Sequence, residues 1–143
     1  IFGFLAFGFI FAFIKFKTSY SKLGLYNLVG VLSDGLGGIF LILLASFLYP
    51  ILGFGFSGIY EYVVFTFVSM TGVIHYFALK NEAYETILTK ISVVIRIFAS
   101  SMFFALYASG KLGIEALLIS FFDLTFVFVY LIFFQSKEYL CKD

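Results

Sequence analysis

Five uninterrupted apolar stretches dominate this chain, at residues 1–14, 23–49, 59–79, 91–110 and 113–134. A helix needs about 20 apolar residues to cross a hydrocarbon core about 30 Å thick, and the last four stretches meet that length. The boundaries are chemical: Lys15 and Lys17 close the first, Pro50 the second, Lys80 the third, Lys111 the fourth and a polar tail from Gln135 the fifth. A transmembrane β-barrel would show alternating segments of about ten residues. Continuous runs point to helices.

Composition confirms the class. Of 143 residues, 63% are hydrophobic and 12% charged, with a mean hydropathy of +1.13. A soluble chain of this size cannot hide so much apolar surface. That excludes a soluble enzyme, a disordered chain and a secreted disulfide scaffold. A net charge of +1 excludes a basic field for nucleic acid. The lone cysteine, Cys141, and the lone histidine, His75, exclude a Cys cluster or a bis-His haem built from this chain. The expected fold is all-α: an integral membrane protein with an up-down four-helix bundle over residues 23–134. Residues 1–16 read as a fifth, truncated span whose beginning lies in a longer helix, and residues 135–143 as a cytoplasmic tail.

Basic residues orient the bundle. Alternate connections carry seven lysines (Lys15, Lys17, Lys22, Lys80, Lys90, Lys137, Lys142) against one, Lys111. This places residues 15–22, residues 80–90 and the C-terminus in the cytoplasm, and suggests a bacterial inner membrane. Pro50 with Gly53, Gly55 and Gly58 predicts a helix stop and an outer connection, and residues 110–113 a tight outer turn. Tyr49, Tyr60, Tyr62, Tyr76, Tyr107 and Tyr130 fall near span ends, as in an interfacial belt. The 23 phenylalanines fit lipid-facing positions; a lining for a flat hydrophobic ligand is the sharper alternative.

Ionisable groups inside a span cost about 2.5–3.5 kcal/mol each on insertion scales and face the bundle interior. Asp34 and Asp123 lie about 16 Å deep, Arg96 about 8 Å and His75 about 6 Å, all from the cytoplasmic side, at 1.5 Å per residue. Asn27, seven residues before Asp34, extends the polar track inward. The expected cluster is therefore Asn27, Asp34, His75, Arg96 and Asp123, with Arg96 paired to Asp34 or Asp123. Such a pair either locks helix to helix or serves a ligand or proton site. Gly30, Asp34 and Gly38 share a helix face, which suits close packing, while the run from Ser33 to Gly38 could instead break the helix. Ser100 and Ser101 read as helix contacts, His75 as an interfacial residue and Glu61 as solvated. No catalytic constellation and no metal site are legible.

The stretch from Asn27 to Phe134 resembles small bacterial four-helix membrane proteins of the DoxX-like type. The resemblance is carried by Asn27-Leu28-Val29-Gly30, by Gly72-Val73-Ile74-His75-Tyr76, by Arg96 and by Phe122-Asp123-Leu124. It implies a four-helix bundle acting as an accessory subunit of an oxidoreductase system or binding small hydrophobic molecules; residues 1–16 depart from the pattern. The expected function is a non-enzymatic membrane subunit with an internal Arg–Asp lock, partnered by the bilayer and by membrane proteins or further copies of itself, and needing no cofactor. The alternatives are a quinone- or lipid-binding protein or membrane enzyme with a cytoplasm-facing pocket, and a component of a proton or ion path.

Overall fold

A computed structural model describes residues 21–135, and they are helical throughout apart from short connections. Helix α1 spans Lys22–Ile51, α2 Ile59–Lys80 and α3 Glu85–Ala108. Helix α4 spans Ile114–Tyr130 and runs on into a π-helical turn, Leu131–Gln135. No strand occurs among the described residues. The first three helices are long and apolar enough to cross a membrane. Residues 1–16, the tail beyond Gln135 and four of the lysines used for orientation (Lys15, Lys17, Lys137 and Lys142) lie outside the described residues, whereas Lys90 falls inside α3.

The chain divides into two compact units within α3, the first ending at Thr89 and the second beginning at Lys90. In the first unit α1 and α2 form an antiparallel hairpin. Ser21 caps α1, its hydroxyl accepting from Gly24 N at 2.8 Å. Helix α1 does not break at its glycine run. It passes into π-helix over Val31–Leu36 and returns to α-helix. In a regular α-helix Gly35 would sit about 140° round the axis from Gly30. The i→i+5 bonding of the π segment under-winds the helix and turns Gly35 onto the α2 side, where its backbone meets Gly72. Gly38 sits equally tightly beneath Ser69, where a Cβ would come within 3.1 Å of Phe65 O. The glycine face thus packs closely, as the spacing of Gly30 and Gly38 implies.

Pro50 lies inside the last turn of α1, one residue before its end. Gly53 and Gly58 take positive φ, 76° and 90°, in the connection that follows. The start of α2 is fixed by Glu61. Its carboxylate accepts from Ser57 N at 3.0 Å, Ser57 Oγ at 2.6 Å and Gly58 N at 2.9 Å. Glu61 is only 5% exposed, so the expectation of a solvated residue was wrong: backbone donors at the helix end draw it inward. Glu61→Ala should lower the stability of the detergent-solubilised protein by about 1 kcal/mol, seen as a reduced Tm; an unchanged Tm would remove Glu61 from the cap.

The connection between α2 and α3 is four residues, 81–84, and not the eleven that the positions of Lys80 and Lys90 imply. Glu85, Thr89 and Lys90 already belong to α3. This correction places Arg96 eleven residues into its helix, about 16 Å from the start, twice the depth expected from a span beginning at residue 91. In the second unit α3 and α4 are joined by a turn at Gly110, φ 68°, where Gly110 N donates to Tyr107 O and Lys111 N to Leu106 O. The surface is strongly apolar: Leu43, Phe47, Phe67 and Phe98 are each at least 66% exposed. Phenylalanine does fill outward positions. Tyr49 and Tyr130 are buried instead of belonging to a belt.

Candidate functional site

Alongside its apolar core this molecule buries a large set of polar side chains. Asn27, Asp34, His75, Thr89, Ser92, Arg96, Ser100 and Ser120 are all at most 2% exposed, and Asp123 is also buried. On α3 the residues Thr89, Ser92, Arg96 and Ser100 follow one another at three- and four-residue steps and so share one face. Polar groups turned inward from an apolar exterior are what a hydrocarbon surround selects.

In the first unit the polar groups converge on Asn27. The antiparallel hairpin sets His75 of α2 opposite Asn27 of α1, with His75 Nδ1 2.8 Å from Asn27 Oδ1. Thr89, in the second turn of α3, receives Asn27 Nδ2 on its hydroxyl at 2.9 Å and donates to Glu85 O at 2.7 Å. Gly30 makes room for the imidazole, since a Cβ there would fall on the ring. Tyr26 meets the ring edge-on, centroids 5.6 Å apart. His75 is 0% exposed; it is a core residue and not the interfacial one expected. Asp34 stands in the π-helical segment, where Ser33 Oγ donates to its Oδ1 at 3.1 Å.

In the second unit Arg96 of α3 and Asp123 of α4 form a buried ion pair, Nη1 to Oδ1 2.6 Å. The guanidinium carbon also lies 3.8 Å from the centroid of the Phe126 ring, a cation–π contact worth about 2 kcal/mol when desolvated. One turn along, Ser120 Oγ donates to Ser100 O at 2.9 Å. Ser120, Asp123 and Phe126 share one face of α4 at three-residue steps. Ser100 is a helix contact, as expected, while Ser101 is exposed.

Of the five residues singled out from the sequence, Asn27 is brought to His75 and Arg96 to Asp123. Thr89, Ser92 and Ser120 were not anticipated. The first two were legible as a continuation of the Arg96 face, but Thr89 had been assigned to a loop. Among the described residues no group of three or more His, Cys, Asp or Glu side chains is placed to hold a metal ion. Compared with known proteins, the chain matches no family model, no curated protein and no solved structure.

Proposed function

We propose that this chain is a non-enzymatic integral membrane subunit, an up-down four-helix bundle of the kind its DoxX-like resemblance implies. It packs in a larger complex through its apolar faces, with the Arg96–Asp123 pair as an internal lock. The ion pair carries the proposal. A 2.6 Å contact between a 2%-exposed Arg96 and Asp123 leaves both charges neutralised within the second unit, and it fixes the register of α3 on α4. A charge pair used this way specifies one packing more than it adds stability. The lysine pattern supports a cytoplasmic C-terminus in a bacterial inner membrane.

A second reading, a protein for small hydrophobic ligands, is favoured by one feature. A groove of about 320 Å³ is lined by Ile74, Phe77, Asn81, Tyr84, Ile87 and Leu88. It is apolar apart from Asn81, and Ile74 and Leu88 are the chain neighbours of His75 and Thr89. Purification in mild detergent, followed by mass spectrometry of everything bound, separates the two. The subunit reading expects stoichiometric protein partners. A lone oligomer carrying a quinone or lipid would overturn it in favour of the groove.

A further inference from the structure

The groove between the end of α2 and the start of α3 is apolar along its length and carries hydrogen-bond donors at one end. Ile74, Phe77 and Asn81 line it at three- and four-residue steps, and Tyr84, Ile87 and Leu88 face them. Phe77 and Ile87 are more than half exposed, so the groove opens outward. From Asn81 to Ile74 it descends seven residues, about 10 Å along the helix axis, within the depth of about 15 Å of one leaflet. Its volume of about 320 Å³ lies at the lower limit of small-molecule sites, about 300 Å³, and suits one slender chain. The connection builds the polar end. Asn81 N donates to Phe77 O at 3.1 Å and Tyr84 N to Asn81 O at 3.0 Å, a turn that sets the Asn81 amide and the Tyr84 hydroxyl at the same end. Lys80 stands beside them. Its Nζ lies 6.0 Å from the centroid of the Tyr76 ring, and that ring meets the Phe77 ring edge-on at 5.9 Å. Among the described residues none of these three polar ends has a hydrogen-bond partner.

We propose that this groove holds one acyl chain of a phospholipid with a zwitterionic headgroup, whose phosphate is taken by Lys80, Asn81 and Tyr84. The proposal rests on the groove reading above and narrows its ligand. An acyl chain suits the apolar walls, and a phosphate suits a rim whose three side chains can all donate. A lysine at the end of a span reaches headgroup level with its charge while its stem stays on apolar surface. Two neutral donors would serve a quinone carbonyl equally well; the lysine charge is what favours phosphate. The remaining charges select the headgroup. Residues 80–85 carry Lys80, Glu82 and Glu85, so a purely anionic headgroup meets one cation and two carboxylates. An ethanolamine headgroup instead offers its ammonium to Glu82, which is exposed and has no ion pair among the described residues. A lipid held in this way is compatible with protein partners, so the subunit reading does not stand or fall with it.

The test offers the whole chain, stripped of lipid in detergent, equal amounts of phosphatidylethanolamine, phosphatidylglycerol and a ubiquinone. Native mass spectrometry then reads what each chain retains. One phosphatidylethanolamine per chain should be kept in preference to the others. Lys80→Glu should lower that retention about tenfold, while Lys111→Glu, at the turn between α3 and α4, should leave it unchanged. Ile87→Trp fills the groove and should abolish retention, with Tm showing that each variant is folded. If Ile87→Trp fails to fold, Lys80→Glu, on the surface, still decides. Phosphatidylglycerol kept as well as phosphatidylethanolamine, or equal losses in the two lysine variants, would overturn the proposal. A ubiquinone kept in its place, lost in Ile87→Trp but indifferent to Lys80→Glu, would overturn it while leaving the groove reading intact. A folded protein that retains nothing, or retains the same lipid after Ile87→Trp, would remove both.

Discussion

Asp123→Leu should be the most damaging single substitution among the described residues, costing about 3–5 kcal/mol. The reason is an asymmetry in the pair. Arg96 keeps its charge under all ordinary conditions, so removing Asp123 takes the carboxylate at 2.6 Å away from a guanidinium that stays buried and charged. Arg96→Leu leaves a carboxylate, which can pick up a proton and become neutral, so its cost should be smaller. The double variant, Leu at both positions, should recover most of the loss, because a buried pair can often be exchanged for apolar packing at little cost. Exchanging the two charges, Arg96→Asp with Asp123→Arg, should recover part of it if the pair acts only as a lock. Thermal unfolding in detergent reads all four variants. Equal damage from the two single substitutions would exclude the lock, and a charge exchange that restores stability while abolishing complex formation would give the pair a task beyond it.

Gly72→Ala should push α1 and α2 apart, whereas Gly35→Ala should be nearly silent, although the two glycines face each other. A Cβ on Gly72 would fall on the backbone nitrogen and Cα of Gly35; one on Gly35 would rest 3.7 Å from Gly72 Cα, an ordinary contact. Backbone cannot turn aside as a side chain can, so Gly72→Ala should cost about 1–3 kcal/mol or more, and a larger residue there should abolish the hairpin. Gly35→Ala should change stability by less than about 1 kcal/mol, with the higher helix propensity of alanine offsetting any crowding. Reversed effects would mean that the close approach follows the α-helical face of Gly30 and Gly38 and not the under-wound one.

That register is also where sequence reasoning stopped. The all-helical class, the approximate limits of the first two helices and the burial of Asp34, Arg96 and Asp123 follow from hydropathy and from the cost of a charge in hydrocarbon, and these needed no tertiary information. Gly30 and Gly38 were legible from their eight-residue spacing in the sequence, but Gly35 was not, because the π segment moves it onto a face that 3.6 residues per turn does not predict. Glu61 looked solvated because charge alone says nothing of the three donors that Ser57 and Gly58 turn toward it. His75 looked interfacial because it stands only four residues from Leu79, the expected end of its span. Once α3 begins at Glu85, Thr89 becomes available to hold Asn27, and the imidazole has a built partner.

The pairing of polar groups also bears on how such a chain is made. Translation delivers α1 and α2 before α3 and α4. Asn27 and His75 satisfy each other inside the first hairpin, and Arg96 and Asp123 inside the second. Only the Asn27 amide nitrogen waits, for Thr89 near the start of α3. Each hairpin can therefore leave the insertion machinery with this polar contact already made, before the rest of the protein is packed against it.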